Sequence, residues 1–346
     1  MNCLRLSILT CIAALVLASG CAQPAGTLFQ PLKEPLRWPA PPEAPRVQYV
    51  GQLTNSADLK PAVPFMKSVN RTMFGEEPTQ SLLTPYAVCT DNKDRLFIAD
   101  SNAQLIHVLN LKTRAYTQWK PTGGKQFTQP VGIAYDRPTA RLLVADSIGG
   151  AIFVFDDHGK FTAEIGRGVL QRPCGLAVDG ASMIFVADVA AHQVVMLNPH
   201  GDVVKRIGHR GEGLGEFNYP TNVAVDHVGR LYVSDSLNFR VQQFGRDLKP
   251  IRQIGRKGDM PGYFAQPKGL AIDRDNHLYV IDSQFEAVQI FDDRGELLLS
   301  FGEEGEGPGQ FWLPTVISID DRNRIWIADS YNRRIQVFDY LPEGKS

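Results

Sequence analysis

The chain has 346 residues, with 36 Lys+Arg against 37 Asp+Glu, a formal net charge of -1 at pH 7 and 43% hydrophobic residues. A balance this even gives no basic surface for neutralising phosphates, which argues against nucleic acid as a partner. The apolar content is that of a folded chain, not a disordered one.

Taken in chain order, residues 1–20 read as a signal peptide: Arg5 supplies a positive start and Leu6 to Leu17 a short apolar run. That run has the length of a secretory signal and is too short to span a bilayer as a finished helix. It ends in Leu17-Ala-Ser-Gly-Cys21, which resembles the lipobox of bacterial lipoproteins. The resemblance implies lipid on Cys21, the cell envelope as location and, with Ala22 following, a periplasm-facing outer membrane where the organism has one. Residues 21–45 then hold Pro24, Pro31, Pro35, Pro39, Pro41, Pro42 and Pro45, and the expectation is an extended tether.

Residues 46–346 read as one domain. Residues 46–53, Arg46-Val-Gln-Tyr-Val-Gly-Gln-Leu53, look like a lone strand. Residues 54–84 are an excursion, in which Phe65, Met66, Val69, Met73 and Phe74 have helical spacing and suggest a short helix. From Pro85 one phrase occurs six times, roughly every 45 residues: a proline, an apolar strand, a turn, and a second apolar strand closing on Asp. The prolines are Pro85, Pro130, Pro173, Pro220, Pro267 and Pro314; the closing aspartates are Asp100, Asp146, Asp188, Asp235, Asp282 and Asp329. Two more strands follow in most copies. Blade five, for example, reads as residues 269–273, 277–282, 287–292 and 296–301. Four short strands per repeat give an all-β fold, a six-bladed β-propeller. The last copy lacks a fourth strand, so residues 46–53 are expected to supply it and to remove an open sheet edge.

The clearest copies, Pro220-Thr-Asn-Val-Ala-Val-Asp226 with Arg230-Leu-Tyr-Val-Ser-Asp235 and Arg240-Val-Gln-Gln-Phe244, resemble the NHL repeat over about residues 80–340. Enzymes, RNA binders and protein-binding modules share that family, so the resemblance implies the ring and not an activity. The closing aspartates are expected to accept hydrogen bonds from turn amides. The strings Gly208-x-x-Gly-x-Gly-x-Gly215 and Gly302-x-x-Gly-x-Gly-x-Gly309 are followed by a strand, not a helix, and read as backbone crossings between blades, not phosphate loops.

Function is sought where the copies differ. The positions after the prolines, Tyr86, Val131, Cys174, Thr221, Lys268 and Thr315, should ring one mouth of the central channel. The turns between second and third strands bring His192, Asn238, Phe239, Arg240, Phe285, Tyr331, Asn332 and Arg334 to the same face. The expected ligand set is Tyr86, Cys174, Thr221, Lys268, Thr315, His192, Asn238, Arg240 and Arg334. Residues 186–194 and 219–225 also resemble peptidylglycine amidating lyase, a relationship that implies zinc held by histidines directly after alternate blade prolines. None of the six matching positions is histidine, and Cys174 alone is too few ligands. No metal or other cofactor is expected, and the seven histidines show no ligand spacing. Cys89, where other copies carry Ala or Ser, reads as a small core residue, and no disulfide to Cys174 is expected.

The expectation is therefore a monomeric, non-catalytic binding or scaffold module at the envelope, for a protein, peptide or small polar ligand. It touches the membrane through its anchor alone. The alternative is a lyase or hydrolase of the propeller superfamily with a divergent site at the channel mouth.

Overall fold

A computed structural model describes residues 24–62 and 78–341. Six antiparallel sheets stand around an axis, and no α-helix occurs among the described residues. The innermost strands are Pro85–Thr90, Pro130–Asp136, Pro173–Val178, Pro220–Val225, Pro267–Ile272 and Pro314–Ile319. Each pairs outward with the strand that ends on a closing aspartate, as in the Pro220↔Asp235 and Pro267↔Asp282 registers. First-to-second and third-to-fourth strand turns thus share one face of the ring. Second-to-third turns and interblade crossings share the other.

Period-two alternation is weak in the inner strands because each sheet is covered on both faces. Arg324–Asp329, for instance, is buried from Ile325 onward. Aromatic side chains fill the wedges between blades, with Phe217 on Phe244 and Phe264 on Phe291, centroids 5.8 and 5.7 Å apart. Each buried side chain of this size contributes about 1.5–3 kcal/mol of transfer free energy. The axis is tighter still. A Cβ on Gly132 would lie 1.9 Å from the Cys174 carbonyl, so only glycine lets those innermost strands approach. At the crossings, Gly208 has φ +78° and a Cβ there would strike the Phe217 ring at 2.4 Å. The glycine strings are therefore backbone devices.

The closing aspartates are structural. All six are fully buried. Asp146 accepts amides from Gln129 and Gly149, both at 2.9 Å, and Asp188 from Gln171 and Arg172 at 2.9 and 2.8 Å. Burial works against ionisation of Asp100. His107 and the amides of Ala103, Leu83 and Thr84 nevertheless hold its carboxyl below the usual range.

Val47–Leu53 forms the outer strand of blade six, paired antiparallel to Arg334–Tyr340 from Val47↔Tyr340 to Leu53↔Ile335. The N-terminal strand thus closes the ring. The expected tether is corrected from Gly26 onward. Arg37–Trp38 pairs with the closing strand. Trp38 lies 5.7 Å from Phe301 and 5.9 Å from Phe338, and Phe29 lies 6.4 Å from Trp326. Proline keeps this segment extended, but its interleaved Leu28, Phe29, Leu36 and Trp38 have an apolar groove to fill, and burial decides. In the excursion, Ser56–Leu59 is a 3₁₀ turn capped by Asn55. The helical pattern from Phe65 to Phe74 lies outside the described residues, as do Cys21 and the signal sequence.

Candidate functional site: the two ends of the axial channel

The repeat register does bring Tyr86, Val131, Cys174, Thr221, Lys268 and Thr315 together at one end of the axis. The cavity among them is only about 10 Å³, space for about one water molecule. Burial pushes the Cys174 thiol up to about 11, moves Tyr86 upward and Lys268 downward. This end is a plug of side chains, not an open mouth.

Several members of the expected ligand set make hydrogen bonds within the protein. Thr221 shares a hydrogen bond of 2.6 Å with Ser236, and Thr315 reaches the Tyr86 carbonyl at 2.6 Å. Asn238 donates to Asp235 and to the Gly211 carbonyl, both at 2.8 Å. Arg240 is buried and donates to Asp235, Gln253 and the carbonyls of Gly213 and Glu216. Arg334 repeats this in blade six with Asp329, Gln52 and the carbonyls of Glu306, Gly307 and Gln310. These arginines tie the interblade crossings down. His192 stacks edge-on against Tyr219 at 4.9 Å and accepts its amide at 3.3 Å, away from the axial ring. Cys89 and Cys174 are both free thiols.

The opposite end is wide. A cavity of about 370 Å³ is walled by all six innermost strands, including Ile133, Leu176, Val223 and Ile317. It continues into a rim space of about 380 Å³. The rim is formed by the residue that follows the aspartate at the end of each innermost strand: Asn92, Arg137, Gly180, His227, Arg274 and Asp321. Sequence reasoning passed over this set, although the six-fold register that singled out the positions after the prolines singles out these equally well.

Electrostatics at the rim are ordered. The Asp321 carboxylate lies 3.1 and 3.2 Å from Arg137 Nη1 and 3.8 Å from Arg274 Nη2, so one acid is shared by blades two, five and six. The preceding aspartates serve their own turns. Asp91, Asp136 and Asp226 pair with Arg95, Arg141 and Arg230 at 2.7, 2.9 and 2.5 Å. Asp273 pairs with His277 Nδ1 at 2.8 Å, and this bond holds the imidazole above its ordinary range. Asp273, Asp275 and His277 have ligand atoms within 4.8 Å of one another. The spacing Asp-x-Asp-x-His went unremarked in the sequence. Asp273 already accepts the amides of Asp275 and His277, the His277 ring and the Tyr279 hydroxyl, so its lone pairs are occupied.

Comparison with known proteins agrees with this architecture. A family model described as a 6-bladed beta-propeller matches residues 274–342. The protein brain tumor of Drosophila melanogaster is 24% identical over 147 residues, which is 41% of this chain, and the match spans 14% of that relative's length. Among solved structures, a gluconolactonase from Xanthomonas campestris aligns with a TM-score of 0.63 at 17% identity, over 93% of this chain and 100% of its own. An auxiliary nutrient binding protein from Bacteroides ovatus aligns with a TM-score of 0.59 at 14% identity, over 75% of this chain and 70% of that one. A streptogramin B lyase aligns with a TM-score of 0.57 at 12% identity, over 75% of this chain and 94% of that one. Identities this low carry the fold alone. They agree on a six-bladed β-propeller, and the repeat wording resembles the NHL repeat.

Proposed function

We propose that this propeller is a non-catalytic binding module, held at the cell envelope by lipid on Cys21, that takes its ligand or partner at the wide end of the axial channel. One observation carries the reading: a cavity of about 370 Å³ walled by all six blades, with a rim where five of the six repeats present polar side chains of four kinds. That volume lies in the range of small-molecule sites. The rigid blades fix the rim loops, which favours recognition without rearrangement. The narrow end offers no comparable space. A nutrient-binding protein among the structural neighbours is compatible with this reading, and the enzymes there show that the same ring also carries chemistry. The anchor rests on the Leu17-Ala-Ser-Gly-Cys21 sequence alone.

Photo-crosslinking tests the site. Benzoylphenylalanine replacing His227 at the wide rim should give an adduct in intact cells, whereas the same group replacing Phe285 on the narrow face should not. Adducts from position 285 alone would move the site to the narrow face, and adducts from neither would remove the binding-module reading. For the anchor, Cys21→Ser should shift the protein from the membrane fraction to the soluble envelope fraction.

A further inference from the structure

The wide rim holds two arginines for one exposed acid. Arg137 reaches from blade two past blade one to Asp321 in blade six, through Nη1 alone. Arg274 approaches the same carboxylate from blade five, at 3.8 Å, and makes no hydrogen bond among the described residues. The side chains of Arg137, Arg274 and Asp321 are 54, 64 and 41% exposed. Most of the ten N–H donors of the two guanidinium groups therefore make no hydrogen bond within the described residues, and both side chains line the rim space. Guanidinium forks of this kind match a carboxylate with two parallel hydrogen bonds each.

We propose that a carboxylate of the ligand displaces Asp321 from Arg137 and Arg274, so that the site selects small acidic molecules. The proposal rests on the wide end being the ligand site and names the ligand class. Asp321 acts as a built-in placeholder. It keeps two like charges from facing each other across an empty rim, and it yields because exposed ion pairs contribute little. Its backbone stays in place during the exchange, since the Asp321 amide donates to Asn92 Oδ1 at 3.1 Å.

The other charges facing the rim do not block an acid. Asp91, Asp136, Asp226 and Asp273 each carry a cationic or imidazole partner, as described above. Asp179 accepts the amides of Ala181 and Met183, both at 2.9 Å. Asp320 accepts those of Arg322 and Arg324 at 2.8 and 3.0 Å, and the Trp326 indole N–H at 3.3 Å. Neither makes an ion pair among the described residues, so these two and Asp321 slightly outweigh the two arginines and the rim is weakly negative. It does not attract anions from a distance; selection comes from the paired forks at contact range.

The test is calorimetric titration of the full chain carrying Cys21→Ser with glutarate as probe. Glutaramide serves as the uncharged control and inorganic phosphate as the competing anion. Asp321→Asn should bind glutarate about 5- to 10-fold more tightly than the parent chain, because the internal competitor and its repulsion are gone. Arg137→Gln/Arg274→Gln should bind at least about 10-fold more weakly, and glutaramide should not bind. All three substitutions are at exposed positions, and thermal melts confirm that the variants fold. Glutarate affinity that is unchanged or weaker in Asp321→Asn overturns the proposal. So does affinity indifferent to the arginines, absence of binding to every chain, or preference for phosphate over glutarate. Crosslinking at position 227 that persists in all these variants would leave the binding site standing and dismiss only the acidic ligand class.

Discussion

Thr315 of blade six places its hydroxyl 2.6 Å from the carbonyl oxygen of Tyr86 in blade one, across the joint where the two ends of the ring meet. Ser330 lies 2.8 Å from Thr315 and donates to the Pro85 carbonyl at 2.6 Å. A related clasp lies between blades four and five, where Thr221 shares a hydrogen bond with Ser236 and Ser236 donates to the Pro267 carbonyl. Thr315, Ser330 and Ser236 are buried and Thr221 is half-buried, so losing the Thr315 hydroxyl strands an acceptor in the interior. Thr315→Val should lower unfolding free energy by about 1–3 kcal/mol. Urea titration checks this, with Thr221→Val as the comparison at an internal joint.

Arg240 and Arg334 should behave as structural residues. Removing either takes the cationic partner from a fully buried aspartate and a donor from several crossing carbonyls. Arg240→Ala should destabilise the ring by about 3–5 kcal/mol, and Arg334→Ala similarly. At temperatures where the variants remain folded, ligand capture at the wide end should be unchanged. A normal melting profile for Arg240→Ala would contradict the network described above.

The N-terminal segment can be loosened without opening the ring. A Cβ on Gly51 would lie 2.6 Å from Phe29 Cδ1. Gly51→Ala should therefore expel Phe29 from its place against Trp326, at about 1–3 kcal/mol for overpacking. Limited proteolysis should then cut residues 24–45 faster than in the parent chain, while the blades stay resistant.

The His277–Asp273 pair gives a pH signature. The imidazole titrates higher in the folded chain than near pH 6.5, its unfolded value. Its stabilisation is therefore complete below that value and is lost as pH rises through the higher folded one. The stability gap between the parent chain and His277→Gln should be wider at pH 5.5 than at pH 9. Because the pair is partly exposed, the difference should be about 1 kcal/mol or less. A gap that widens with increasing pH would reverse the assignment.

Six-fold repetition made the ring legible before any coordinates. Backbone necessities, such as the innermost glycines and the buried closing aspartates, recur in register and so announce themselves. The missing fourth strand of the last copy pointed to residues 46–53 for the same reason. Channel width was not legible, because it depends on where Tyr86 and Lys268 project once six strands converge. Nor was the identity of the open end, since both ends of each innermost strand vary from copy to copy. Asn238, Arg240 and Arg334 fold back beneath their loops, and a polar residue in a turn looks alike in sequence whether it does so or faces solvent. The packed segment before the ring did carry a signal, in Leu28, Phe29, Leu36 and Trp38, which proline content overshadowed.

The attachment of Gly26 sets a standoff distance. Its amide donates to the Lys60 carbonyl at 3.0 Å, and its own carbonyl lies 3.5 Å from Arg114 in the third-to-fourth-strand turn of blade one, on the face that carries the wide opening. With lipid on Cys21, the leash between bilayer and body is about five residues, at most about 18 Å when fully drawn out. On the proposed anchor, a leash so short, leaving from that face, would turn the wide opening toward the membrane surface and restrict the propeller's tumbling. A ligand of the anchored protein would then have to fit the thin aqueous gap between them: a small solute, or a group already carried on the same membrane.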